Sequence, residues 1–389
     1  MQFKPTETRA QKQTVNSTQN QALFRSPMGN CASAAELLEK QEIDENVVYV
    51  VDEEGPISEQ DGTRKIASLF SRRGMKGPNQ DTAILCQGFG KENGIFCGVF
   101  DGHGRMGHMI SRLVRDYLPF LILSQRNNYF LSRDNSNFND NDSDDSDSHK
   151  EHDAPCLNSE MFEEWKQACV NALKAMDCEL RIKPGLDCSF SGTTAVYIIK
   201  QGKDLIIANL GDSRAILARV SEQGYIEAKQ LTTDFKPGIP EEAERIKKHH
   251  GRVFCLRDEP TVARVWLPDE NYPGLAMSRS LGDLQLKHYG VISTPQVIYH
   301  RITDRDLFIV LATDGVWDVL RNDQVVSTVC NTKNKMEASR AIVEEAVQTW
   351  KTKFPASKRD DCTAACLFLN DYKQFNEKKH GIASADKKL

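Results

Sequence analysis

The apolar residues of this chain gather into short, dense runs, and most of the runs break off at an aspartate or a glycine. "TAILC", "GIFCGVF", "TAVYII", "LIIANL", "AILA", "LFIVLA" and "AACLFL" are rich in β-branched and aromatic residues and bounded by turn residues. They predict strands over 82–86, 95–100, 194–199, 205–209, 215–218, 307–312 and 364–369. Helices are expected over 107–123, 159–181, 240–250, 323–330 and 336–354. The helix at 240 is punctuated by Pro240 in its first turn, by Glu241, Glu242 and Glu244 at its positive end, and by Gly251 after its last histidine. Several strands follow one another in hairpin fashion, as in "TAVYIIKQGKDLIIANLGDSRAILA". That favours antiparallel sheets with helices packed outside over a regular βαβ series, so the expected class is α+β.

The pattern fades at both ends and once in the middle. Residues 1–27 are rich in Gln, Thr and Asn, and 34–43 could form a short helix. Folding proper is expected to begin near Ile66. Residues 134–153 contain eight acidic residues and one lysine, which predicts a solvated acidic loop. The expected organisation is a mostly disordered region over 1–60, a domain over 61–372 interrupted by that loop, and a polar tail over 373–389.

With 389 residues the chain can hold one large domain or two ordinary ones. A net charge of −5 without any dense basic stretch argues against a nucleic-acid partner. The eleven cysteines are scattered and form no C-x-x-C pair, and no apolar signal segment opens the chain. Together these predict a reduced intracellular protein, cytoplasmic or nuclear. No apolar run approaches the length of a membrane span. The chain is expected to be a monomer.

The aspartates at the strand boundaries carry the chemistry. Asp81 precedes one strand, Asp101 closes another in "GVFDGHG", Asp212 follows "LIIANLG", Asp314 and Asp318 follow "LFIVLAT", and Asp360 and Asp361 precede "CTAACLFL". Carboxylates beside a core are costly unless cations or metals offset them. Read together they suggest one shared set of oxygen ligands, which selects Mg²⁺ or Mn²⁺ over Zn²⁺. Two such ions, roughly 3.5–4 Å apart, could clamp a phosphoryl group and activate a water. At this point a set of independent turn aspartates remains the alternative reading.

"NQD", "VFDGHG", "SGTTAV", "ANLGDSRA", "LAMSRSLGD", "ATDGVWDVL" and "RDDCTA", in this order and spacing, resemble the metal-dependent protein serine/threonine phosphatases of type 2C, with wording most similar to plant members. The resemblance covers about residues 62–371. It implies two antiparallel β-sheets sandwiched between outer helices, with a two-metal site at one end, and hydrolysis of phosphoserine and phosphothreonine in proteins without a covalent intermediate. Asp101 matches the carboxylate shared by both metals, and Gly102 the residue whose backbone carbonyl binds the second, where a side chain would be in the way. Asp314 and Asp360 match the remaining direct ligands, and Asp81 a carboxylate of the outer shell. His103 matches the proposed general acid. Asp212 and Asp318, with Asp314, match a weaker third metal site of some members. Asp283 reads as structural or outer-shell, and Thr193 and Thr194 as structural strand residues.

Two positions depart from the animal-type pattern. Gln80 stands where those members carry Glu, and Lys76 where an arginine grips the phosphate, which gives a point charge in place of a bidentate fork. Arg72 or Arg73 could substitute. A catalytically weak or inactive scaffold of the same fold is the alternative function. A phosphotransferase is disfavoured, because neither G-x-x-x-x-G-K-[ST] nor an H-R-D loop is present.

"MGNCAS", residues 28–33, fits the pattern for N-myristoylation at Gly29, with Cys31 available for a second acyl chain. It operates only when translation starts at Met28. The expectation is a membrane-associated form from Met28 and a soluble form from Met1.

Overall fold

The computed structural model describes residues 46–50, 66–137 and 157–370, all within one compact unit. The candidate acylation site at Gly29, the helix expected at 34–43, the polar tail and most of the acidic loop lie outside the described residues. In chain order the strands are β1 (Val47–Val50), β2 (Ala67–Arg72), β3 (Asp81–Gln87), β4 (Ile95–His103), β5 (Gly192–Thr193), β6 (Ala195–Gln201), β7 (Asp204–Leu210) and β8 (Arg214–Val220). They continue as β9 (Ile226–Gln230), β10 (Arg252–Cys255), β11 (Ala263–Trp266), β12 (Pro273–Leu275), β13 (Leu281–Gly282), β14 (Gln296–Arg301), β15 (Asp306–Ala312) and β16 (Cys362–Phe368). The helices are α1 (Gly107–Asn137), α2 (Leu157–Ile182), α3 (Pro240–Lys248), α4 (Asp314–Trp317), α5 (Asn322–Asn331) and α6 (Ala338–Lys353).

An eight-stranded sheet runs β1-β3-β4-β6-β7-β14, with β5 and β13 attached beside β4, and a five-stranded sheet runs β2-β16-β15-β8-β9. All pairings are antiparallel except β1 with β3. Successive side chains of a strand face opposite ways, so a strand covered on both sides is apolar throughout. Leu85, Val99, Ile198 and Ile207 point inward to meet Leu217, Ile309, Leu311 and Leu367 of the other sheet. Their neighbours Ile84, Phe100 and Ile199 point outward and pack against Ile110, Val114 and Leu118 of α1 and Leu173 of α2. On the far side Ile216 and Val310 pack against Val325 of α5 and Ile342 and Val343 of α6. This is the expected sandwich of two sheets between helices.

Four features differ from the sequence reading. Val47–Val50 forms an edge strand paired with Ala83–Cys86, so ordered structure precedes Ile66. "VVYV" is a β-branched run, but the polar residues around it hide the signal. α1 continues to Asn137, through polar residues that lack an apolar stripe and into the first residues of the acidic stretch. β9 and β14 are only partly covered and mix polar with apolar residues. The third sheet, β10-β11-β12, is small and separate.

Candidate functional site

Strand register brings the predicted aspartates to one end of the sandwich. Asp81 opens β3 directly opposite Asp101 near the close of β4. On the other sheet Ala312, at the end of β15, lies between Arg214 of β8 and Ala364 of β16. Asp212, Asp314 and Asp360 each sit just beyond these strand ends. The two halves are tied together here: the Thr313 hydroxyl donates to Asp81 Oδ2 at 2.8 Å.

Hydrogen bonds brace the backbone around two of these aspartates. The Thr194 N–H and the Thr193 hydroxyl both donate to the Asp101 carbonyl, at 2.9 and 3.0 Å, so these threonines are structural as expected. Asp361, adjacent to the candidate ligand Asp360, accepts from the Gly74 and Gln80 N–H groups at 2.6 and 2.8 Å and fixes the loop that carries Lys76. Gly102 must be glycine: a Cβ there would strike the backbone of Gly107 and Gln80, where the start of α1 comes close. Gln80 turns away and donates from Nε2 to the Gly104 carbonyl at 2.8 Å.

Burial pushes the Asp81 carboxyl up to about 8, with Asp361 adding to it and the Thr313 bond opposing it. Burial also raises Asp101 well above the carboxylate range, followed by repulsion from Asp81, Asp314, Asp360 and Asp212. Asp314 is raised by burial and then by Asp212, Asp360 and Asp318. Asp212 is 1 % exposed, and neither of its carboxylate oxygens accepts a hydrogen bond from another residue. Two lysines offset this charge. Lys76 is paired with Asp360 and also feels Asp314 and Asp101, whereas Lys236 pairs with Asp318 at 3.4 Å. Arg72 and Arg73 are exposed.

Among the described residues no three His, Cys, Asp or Glu side chains close on a single point as a finished cage. The fit to divalent cations rests on the donors instead: buried carboxylate oxygens in excess of the cations beside them, some with no donor to meet. Such a row favours hard cations.

His103 lies at the end of β4, and its Nε2 meets Asp283 Oδ2 at 2.7 Å. Burial lowers the imidazole pKa, but Asp283 outweighs it and holds the ring above its ordinary value. Asp283 also accepts from the Ser280 hydroxyl at 2.6 Å and sits at φ 48°, a left-handed conformation that Asp tolerates better than most residues. Gly192 makes the pair possible, since a Cβ there would strike both Asp283 and His103. Asp283, read from the sequence as structural or outer-shell, has His103 as its partner. Lys236 had no sequence signal beyond a basic residue in a loop.

The protein phosphatase 2C family model matches residues 68–352. The chain is 60% identical to "Probable protein phosphatase 2C 12" of Oryza sativa subsp. japonica, over 89% of this chain and 92% of that one. It is 48% identical to "Probable protein phosphatase 2C 38" of the same plant, over 79% and 70%. Among solved structures, a serine-threonine phosphatase 2C from Toxoplasma gondii superposes with a TM-score of 0.64 at 25% identity, over 78% of this chain and 94% of that one.

Proposed function

The chain belongs to the protein phosphatase 2C family and is a serine/threonine protein phosphatase, and from that premise we propose that it works with two divalent cations, Mg²⁺ or Mn²⁺, at the carboxylate end of the sandwich. Asp101, Asp314, Asp360 and the Gly102 carbonyl would hold them directly, with Asp81 behind these ligands. Asp212 and Asp318 would join Asp314 at a weaker third position. The observation that supports this reading most is the surplus of buried carboxylate over cationic charge at that end. Bound cations would polarise the phosphoryl group of a phosphoserine or phosphothreonine and acidify the attacking water.

The residues around the carboxylates divide the remaining work. Lys76 is more than half exposed and stands beside Asp360, where its ammonium can meet a phosphate oxygen. His103 is anchored through Nε2 on Asp283, which favours its protonated form, and its Nδ1, which meets no partner, carries the proton for the departing serine or threonine oxygen. Cys362, a thiol bordering the carboxylates, is pushed up by burial and then by Asp81. Attack by a metal-activated water without a covalent intermediate is part of this reading.

The test is hydrolysis of phosphoserine and phosphothreonine peptides with Mn²⁺, with EDTA, and with Asp101→Asn. Turnover should fall roughly a hundredfold or more in the last two, because losing a metal clamp costs several kcal/mol of transition-state stabilisation. Full turnover in EDTA would reject the two-cation reading, and no turnover under any condition would favour the inactive scaffold.

We also propose that the protein is intracellular, and that translation from Met28 yields a membrane-associated form acylated at Gly29. "MGNCAS" supports this, since Cys31 supplies the second chain that stable anchoring needs. Fractionation of cells expressing each start should place the Met28 form with membranes and its Gly29→Ala variant in the soluble fraction. A Met28 form that stays soluble would reject it.

A further inference from the structure

Asp212 lies in the turn between β7 and β8, and its two carboxylate oxygens are buried without a donor from another residue. The Phe235 N–H donates to the Gly211 carbonyl at 2.9 Å, which pins the segment carrying Lys236 beside that turn. The Lys236 backbone is braced as well, its N–H on the Asp234 carbonyl and its own carbonyl accepting from Ile239. Its ammonium meets Asp318 at 3.4 Å and also feels Asp212 and Asp314. The other nearby cation is committed elsewhere: Arg214 forks onto Asp234 and donates to Asn322 at 2.7 Å.

We propose that Lys236 is a resident counter-ion of the Asp212–Asp314–Asp318 end, which a third divalent cation must displace, so that this lysine sets how weakly that position binds metal. The proposal rests on the two-cation reading above and goes beyond it by assigning a role to Lys236. The physical argument is one of competition for the same oxygens. An ammonium held at this end repels an incoming dication and competes for Asp318, its contact at 3.4 Å, whose side chain is the exposed edge of the set at 43%. Removing the ammonium leaves the carboxylates uncompensated, which raises their affinity for an outside cation and weakens the metal-free fold. Lys76 stands in a similar relation to Asp360, but the orphaned oxygens are those of Asp212, at the Lys236 end.

The experiment is a Mn²⁺ titration of the full chain, read by calorimetry and by the electron paramagnetic resonance of free Mn²⁺, so that it does not depend on turnover. Wild type, Lys236→Gln, Lys236→Met and Lys236→Arg are compared, with circular dichroism to confirm folding. Wild type should show two tighter sites and a weaker third. The Gln and Met variants should tighten only the third, by about tenfold, while the Arg variant, which keeps the charge, should stay near wild type. The metal-free Gln and Met variants should also melt earlier, and gain more from saturating Mn²⁺ than wild type does. Two tighter sites with an unchanged third in both neutral variants would overturn the proposal alone. A wild-type chain lacking the two tighter sites would overturn the two-cation reading and this proposal with it.

Discussion

Two groups of buried carboxylate in this molecule have opposite fates. Glu242 of α3 is 3% exposed, as enclosed as Asp81, yet its carboxyl is held down at about 2. Burial pushes it up, but Arg279, Arg245 and the Ser278 hydroxyl outweigh burial. Arg245 forks onto it at 2.7 and 2.8 Å, and Arg279 at 3.0 and 2.6 Å while stacking 3.7 Å above the Phe235 ring. Asp81, enclosed among further aspartates, is pushed up to about 8. Burial sets the cost in both places, and the partners decide the sign. Around Glu242 the chain carries its own cations. At the aspartate end it carries too few, and the rest must come from outside.

The largest effect that could break this contrast is the removal of Glu242. Glu242→Ala leaves two guanidinium groups facing each other without their carboxylate, at a cost of about 3 kcal/mol. Differential scanning calorimetry should show a melting temperature several degrees lower, while Mn²⁺ binding at the aspartate end keeps its stoichiometry. Unaltered melting would mean that the cluster does not hold α3 in place.

A smaller effect is expected from pH. Asp81 has a folded pKa near 8 against an ordinary 3.8, so the stability it contributes is full below 3.8 and is lost as pH rises through 8. Glu242 runs the other way: its contribution is present above 4.5 and is lost only as pH falls toward 2. In EDTA, stability should therefore drop by about 2 kcal/mol between about pH 5 and about pH 9, and saturating Mg²⁺ should flatten the alkaline side of the curve. An alkaline loss that Mg²⁺ leaves untouched would show that the aspartates are not where the cation acts.

The smallest expected effect is a gain. Asp81→Asn keeps an oxygen that can accept from Thr313 and replaces a carboxyl that must take up a proton to stay buried without metal, which in EDTA near neutral pH should stabilise the fold by about 1 kcal/mol. In saturating Mg²⁺ the gain should vanish, because the charge is then compensated. Thermal melts in the two buffers give the answer, and a loss of stability in EDTA would contradict the repulsion assigned to the row.

The central strands were legible because both of their faces are buried, so their apolar runs are unbroken. Val47–Val50, Ile226–Gln230 and Gln296–Arg301 were missed because each is an edge strand with one side partly open, where polar residues are tolerated. The second role of Glu242 is hidden in the sequence for a related cause. Near the start of a helix an acidic residue suits the helix dipole, and nothing local shows that Arg279, thirty-seven positions later, will return to it. Asp361 looked like one more strand-end aspartate beside Asp360, yet it holds the Lys76 loop through two backbone N–H groups.

Sequence alone determined which residue types stand at the ends of the apolar strands, and so the kind of ion they could attract. That information is local, because period and side-chain chemistry are written into consecutive residues. Only the tertiary structure decided which carboxylates face one another, which are answered by a lysine or an arginine, and which are left with oxygens unmet. Those outcomes depend on pairings between strands far apart in the chain, such as β2 with β16 and Asp81 with Thr313. Whether a buried charge is a structural tie or a metal ligand is a property of its neighbours in space, and register is what chooses them.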